Sequence, residues 1–248
     1  MKQDLSSKRV FMVAGHAQSG KTMLCEALLH AMGAINAMGS IEQGTTVSDY
    51  APDEVERKSS INASFFHAIH NNIQYQFVDA PGYVDFIGET ISAAAAVDFA
   101  IIVIDASAGI GVGTERVWEI VRKRSMPCMF FIDKLDREHV DFEKTMNEIR
   151  EIFGSDAVLA GYPVGTERTV NLLNDGVTDT LPDPHKSKAK EYFKQLVEQI
   201  AETDDTLLEK YLETGRLPRA ELVPVLKKDV LEGRIYPIIC GSVDRNEG

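Results

Sequence analysis

Cysteine is scarce in this chain: Cys25, Cys128 and Cys240 are the three among 248 residues. They stand far apart among apolar neighbours. Their spacing suits neither a metal site nor a disulfide framework. The expectation is therefore reduced, packed thiols in a cytoplasmic protein. The leading segment MKQDLSSKRV lacks the apolar run of a secretory leader. Apolar runs such as FAIIVIDA fall far short of the roughly 20 residues that a membrane-spanning helix needs, so no membrane partner is expected. An excess of positive charge is also missing. With 38 acidic and 26 basic residues, the net charge is −12. That balance argues against a broad basic face for nucleic acid, and no specific DNA binding is expected.

What remains is the composition of an ordinary globular chain, 44% hydrophobic and 26% charged. Its length suits one large α/β domain with a small insertion. Val10 to Ala14 reads as a buried strand, followed by a glycine-rich turn and then a helix in which Leu24, Leu28 and Ala31 recur at helical spacing. Gly39 to Ser60 is polar and without sustained period, a loop long enough to suggest function or mobility. Ala63 to His70 and Ile73 to Asp79 read as strands joined at Asn71-Asn72. Helices are expected over Ile87 to Val97, Thr114 to Lys123 and Phe142 to Phe153. Buried strands are expected over Phe99 to Asp105 and Pro127 to Ile132.

Residues 165 to 185 read as loop. Lys186 to Tyr211 and Arg219 to Leu231 read as charged helical stretches, before a last strand at Ile235 to Cys240. Alternating strands and helices imply a mostly parallel sheet with helices on both faces, plus a small helical insertion. Three segments are expected: a core over 1–162, a mainly helical insertion over 163–233, and the last core strand with its loop over 234–248. A closing helix is expected beyond Gly248, which marks the chain as part of something longer.

Gly15-His16-Ala17-Gln18-Ser19-Gly20-Lys21-Thr22 fits G-x-x-x-x-G-K-[ST] between a strand and a helix, the setting that a P-loop NTPase requires. Its glycines let the backbone wrap a phosphate, and the helix N-terminus adds partial positive charge. Lys21 would neutralise the outer phosphates and the Thr22 hydroxyl would ligate Mg²⁺. Asp79-Ala80-Pro81-Gly82 follows a strand. There Asp79 would hold Mg²⁺ through water, and the Gly82 N–H would touch the terminal phosphate. Asp133-Lys134-Leu135-Asp136 ends another strand. The Asp136 carboxylate matches the N1–H and N2–H₂ donors of guanine, which adenine lacks, while the Lys134 stem would pack on the base. In Gly241-Ser242-Val243 a backbone N–H would meet guanine O6. Together these imply a site for GTP and GDP that rejects adenine nucleotides.

With these motifs in order, the chain resembles the GTP-binding domain of bacterial elongation factor G and its relatives. GHAQSGKT is similar to G-H-x-D-x-G-K-T. GTTVSDYAPDEVERKSSI resembles the first switch, which ends in E-R-G-I-T-I. DAPGYVDF resembles D-T-P-G-H-V-D-F, IDKLDRE resembles N-K-M-D-R, and ICGSVDRNEG resembles C-G-S-A-x-x-N-x-G. The helical stretch ending in EGRIYPIICGS resembles an insertion special to that family. The resemblance implies ribosome-linked GTP hydrolysis in translation of the translocation type, slow without the ribosome, by a monomeric domain that precedes four others.

Five positions depart from the pattern. Gln18 replaces an Asp associated with ion coordination near the phosphates. Lys58 replaces a Gly. Ser60 replaces a Thr but keeps the hydroxyl for Mg²⁺. Asp133 replaces an Asn and, when ionised, cannot donate to guanine N7. Tyr83 replaces the His that positions water, which leaves Lys21 and Tyr83 as the candidate catalytic residues. A phenol is a weak base at neutral pH. Lost positioning would cost about 3–5 kcal/mol, roughly 10²–10⁴ in rate. Two alternatives follow: a nucleotide-dependent ribosome-binding switch with little hydrolysis, or a ribosomal protection factor.

Overall fold

Alternate residues of the first strand, β1 (Lys8–Gly15), serve the two faces of a sheet. Phe11 and Val13 enter one apolar core; Met12 and Ala14 enter the other. In the computed structural model, which describes residues 5–166 and 168–247, these cores lie on opposite sides of a seven-stranded sheet. Met1–Asp4, Glu167 and Gly248, which belong to the expected segments, lie outside the described residues.

The helix α1 (Lys21–Ala31) follows β1 directly. The hairpin of β2 (Ser64–His70) and β3 (Ile73–Asp79) turns at Asn71 and Asn72, with φ of 50° and 62°. Such paired positive values match the twist of a two-residue hairpin. Then come α3 (Ile87–Ala96), β4 (Phe99–Asp105), α4 (Val112–Lys123), β5 (Cys128–Asp133) and α5 (Phe142–Phe153). Asp141 caps α5 by accepting the Lys144 N–H at 3.1 Å. These five elements lie within two residues of their expected bounds.

Three regions differ from expectation. Gly39–Ser60 contains a short helix, α2 (Pro52–Arg57), opened by a proline at its first position. Residues 165–185 are not all loop. The strands β7 (Gly161–Val164) and β8 (Arg168–Asn171) form an antiparallel ribbon, and a 3₁₀ turn covers Val177–Thr180. Glycine, proline and asparagine dilute the alternating pattern there, whereas cross-strand pairing supplies the order. The first charged helical stretch divides into α6 (His185–Ala201) and α7 (Asp205–Thr214), because the Asp204 side chain accepts the Leu207 N–H at 3.0 Å and starts a new helix.

The chain continues through α8 (Arg219–Leu231) to the final strand β9 (Tyr236–Cys240). Like β7 and β8, the strand β6 (Ala157–Leu159) has no counterpart among the expected elements; it pairs in parallel with β9 at the sheet edge. Three buried residues give no readable alternation. Leu196, Val197 and Ile200 of α6 share the apolar core of the sheet with Val158 and Leu159.

Strand order is β2-β3-β1-β4-β5-β9-β6, with β2 alone antiparallel. The order reverses direction around β1. In open sheets of this kind, ligands bind beyond the carboxyl ends of the strands at that reversal. Cys25, Cys128 and Cys240 are all buried and free, and burial raises each thiol, Cys128 to about 12.

Candidate functional site

A cavity of about 460 Å³ lies beyond the strand ends. That is within the usual size range for small-molecule sites. The turn from Gly15 to Thr22 forms its floor. Gly15 has φ 152°, and a Cβ there would stand 2.4 Å from Val103 O; Gly20 has φ 102°, and a Cβ would meet Asp133 Oδ2 at 2.2 Å. Only glycine allows the loop to pass so close to β4 and β5. Ala17, Gln18, Gly20, Lys21 and Thr22 reach the cavity. Gly15, His16 and Ser19 are not part of its lining.

His16 has a structural task. Its Nδ1 accepts the Gly113 N–H at 3.2 Å, and its own N–H donates to Thr114 Oγ1 at 3.2 Å, so the start of α4 is docked on the loop. Its carbonyl accepts the Lys21 ammonium at 2.7 Å.

One part of the site gathers hard oxygen groups. Thr22 Oγ1 donates to Asp79 Oδ2 at 2.7 Å and lies 3.3 Å from Ser60 Oγ. Asp79 Oδ1 and Ser19 Oγ are buried oxygens without a hydrogen-bond partner among the described residues. Buried oxygens of this kind call for an explanation, and an ion with its ligand supplies one. Two hydroxyls and one carboxylate fit Mg²⁺, which retains water and phosphate oxygens rather than filling an all-protein cage. Among the described residues, no group of three or more His, Cys, Asp or Glu could hold a metal. Burial pushes the Asp79 carboxyl up to about 6, against the pull of Lys21 and the Thr22 hydroxyl. Burial likewise lowers Lys21, against the pull of Asp79. Both charges are short of solvent in this pocket, a condition common at functional sites.

Gly82 touches the phosphate loop closely: a Cβ there would meet Lys21 Nζ at 2.4 Å and Ala17 N at 2.6 Å. Tyr83 is 40% exposed on the cavity wall, and its hydroxyl makes no hydrogen bond to a described residue.

At the other end, Lys134 Nζ donates to Gln18 O and to Asp105 Oδ2, each at 2.6 Å. This bridge ties the phosphate loop to the ends of β4 and β5. Burial opposes ionisation of Asp105, but its hydrogen bonds from Lys134 and Ser107 hold the carboxyl below its usual value. Asp133 Oδ1 accepts the Val243 N–H at 2.9 Å, and Asp136 Oδ1 accepts the Ser242 hydroxyl at 2.7 Å.

The loop after β9 is held by hydrogen bonds of its own amides. Gly241 donates its N–H to Ile132 O at 2.9 Å, Ser242 to Glu247 O at 2.8 Å, and Val243 to Asp133. All three amides are engaged within the protein. The loop anchors Asp133 and Asp136.

Three polar residues of the site belong to no sequence motif. Glu26 of α1 is buried and accepts the Gly39 and Val47 N–H groups at 2.7 and 2.6 Å. Its position within an apolar helix face was the available signal. Asp49 lines the cavity; burial raises its carboxyl, and the hydroxyls of Ser60 and Ser48 oppose this. Nothing in the aperiodic run around it marks it. Asp105, an acid closing a buried strand, was readable as an element but not as a partner of Lys134.

Residues 6–248 match the model of the family described as the elongation factor Tu GTP binding domain. Elongation factor G of Mycoplasma pneumoniae is 30% identical over 261 aligned residues, covering 99% of this chain and 38% of the relative. Elongation factor G of Thermotoga neapolitana gives the same identity and coverage. A crystal structure of a Thermus thermophilus protein superposes with a TM-score of 0.88 at 30% identity, covering 97% of this chain and 38% of that one. The chain thus spans little more than a third of the length of these relatives.

Proposed function

The chain belongs to the elongation factor Tu GTP-binding domain family, and from that premise we propose that it binds GTP and GDP with Mg²⁺ and hydrolyses GTP as part of a cytoplasmic, elongation factor G-like protein that works on the ribosome. The observation that carries this reading is one cavity with two chemically distinct ends. Lys21, Thr22, Ser60 and Gly82 supply the phosphate end; Asp133 and Lys134 supply the base end, and Asp136, outside the lining itself, accepts the Ser242 hydroxyl.

In this reading the amides of the phosphate loop bind the anionic chain, and Lys21 supplies charge. Mg²⁺, held by Thr22, Ser60 and, through water, Asp79, would neutralise charge on the outer phosphates. Asp136 selects guanine, and the Ser242 hydroxyl fixes its orientation. Tyr83 faces the place where the attacking water must be positioned.

Phosphate release by the longer parent protein, with and without ribosomes, tests the proposal. Stimulation by at least about tenfold is expected of a factor whose water is aligned by its partner. No stimulation would remove the hydrolytic role on the ribosome. A second reading rests on the free Tyr83 hydroxyl: nucleotide binding could switch ribosome affinity with little turnover. Ribosome binding that depends on GTP without any phosphate release would favour it.

A further inference from the structure

Four cations line the cavity: Lys21, Lys58, Lys134 and Arg137. Lys21 and Lys134 are tied to the loop that follows β1, and Arg137 makes an exposed pair beyond β5. Lys21 bonds the phosphate loop, Lys134 bridges Gln18 and Asp105, and Arg137 pairs with Asp244 at 3.2 Å. Lys58 is different, because the segment between Gly39 and Ser60 delivers it.

Lys58 closes α2 in the left-handed conformation, φ 53°. Glycine usually occupies such a cap, and a lysine there is uncommon. The turn is well supported. The Lys58 N–H donates to Val55 O at 3.3 Å and the Ser59 N–H to Glu54 O at 3.2 Å. The buried Glu54 carboxylate accepts from Ile61 and Asn62 at 2.9 and 3.0 Å. This geometry directs Lys58, Ser59 and Ser60 to the cavity that Gly82 and Tyr83 also line. Two residues beyond Lys58, Ser60 reaches the Thr22 hydroxyl.

The Lys58 ammonium pairs with Glu42, which lines the same cavity. Both side chains are largely exposed, so the pair is weak and exchangeable. Each end of the segment therefore contributes one charge to the cavity wall, and a phosphate chain offers Lys58 a more highly charged partner than Glu42.

We propose that Lys58 is a further catalytic residue that senses the terminal phosphate of GTP: its ammonium exchanges Glu42 for those phosphate oxygens and counters the charge that builds there during hydrolysis. In that step the water oxygen bonds to the terminal phosphorus as the bond to the bridging oxygen breaks. The electron pair leaves with GDP, and the water proton passes to the released phosphate. Lys58 keeps its protons throughout and acts by charge, as an arginine finger does. GDP lacks the third phosphate, so Lys58 favours GTP over GDP. The inference rests on the reading of the cavity as a guanine-nucleotide site.

The test uses the 248-residue chain with Lys58→Gly, Lys58→Arg and Glu42→Gln. Glycine suits the left-handed cap, so that variant removes charge without backbone conflict. Displacement of mant-GDP would measure GDP and a non-hydrolysable GTP analogue, and single-turnover phosphate release would report chemistry. Lys58→Gly should lower the ratio of analogue to GDP affinity about tenfold and phosphate release about 10- to 100-fold, with GDP affinity held within about twofold. Lys58→Arg should retain most of both, and Glu42→Gln should raise the ratio. Either readout unchanged in Lys58→Gly, while the parent chain binds GDP, would overturn this inference alone. A parent chain that binds no GDP would overturn the nucleotide reading and this inference with it.

Discussion

Replacing Asp133 with asparagine removes one buried charge and little else. Asp133 is 3% exposed, its Oδ1 accepts the Val243 N–H, and its Oδ2 lies against Gly20. Burial pushes the carboxyl up to about 6, although N–H groups of Val243 and Lys134 and the Lys134 charge oppose the shift; Asp244 adds to it. An unfolded aspartate titrates near 3.9, so between about pH 4 and 6 the folded chain keeps a proton that the unfolded chain has released. Stability therefore falls as pH rises through that window. Two units at about 1.4 kcal/mol each give a loss of about 3 kcal/mol from this residue at neutral pH. Asparagine keeps the acceptor for Val243, carries no charge and adds a donor that an ionised carboxylate lacks.

Urea unfolding of both chains across that range is the assay. Asp133→Asn should be more stable by up to about 3 kcal/mol near pH 7.5, and the difference should close towards pH 4. Asp79 titrates in both chains and cancels from the comparison. A difference that does not change with pH, or an asparagine chain less stable near pH 7.5, would refute the reasoning.

Tyr83→His should raise single-turnover GTP hydrolysis by up to about 10²–10⁴-fold if water positioning is what the site lacks, measured by phosphate release; a fall would show that the phenol already positions water. Gly82→Ala should impair nucleotide binding or turnover at least about tenfold, because its Cβ would stand 2.4 Å from Lys21 Nζ and 2.6 Å from Ala17 N; fluorescent-nucleotide titration checks it. Glu54→Ala should expose Ile61 and Asn62 amides that it now accepts from, at a cost of about 1–3 kcal/mol concentrated around residues 52–62. Faster hydrogen exchange there, with exchange in β4 unchanged, is the expected pattern.

The parts of this fold most legible from sequence were those whose burial leaves a periodic trace. β3, β4 and α5 lie where alternation and helical spacing place them, and the phosphate loop announces itself because only glycine permits its approach to β4 and β5. The legible parts of the site have chemistry encoded in adjacent residues, as in Gly20-Lys21-Thr22 and Lys134-Leu135-Asp136. Long-range partners were not legible. The Lys134–Asp105 bridge joins two strand ends, and Glu26 holds a segment more than ten residues away. The amides of Gly241, Ser242 and Val243 show the same limit. Their partners, Ile132, Glu247 and Asp133, could not be read from the local sequence. The ribbon of β7 and β8 and the short β6 depend on pairing that no local period reveals.

Competition for bound mant-GDP tests the central claim most directly. GDP should displace it from the 248-residue chain, whereas ADP should need an excess of about 10⁴-fold or more, because adenine leaves the Asp136 carboxylate without its paired donors. Equal displacement by ADP would contradict the assignment of this cavity to guanine nucleotides.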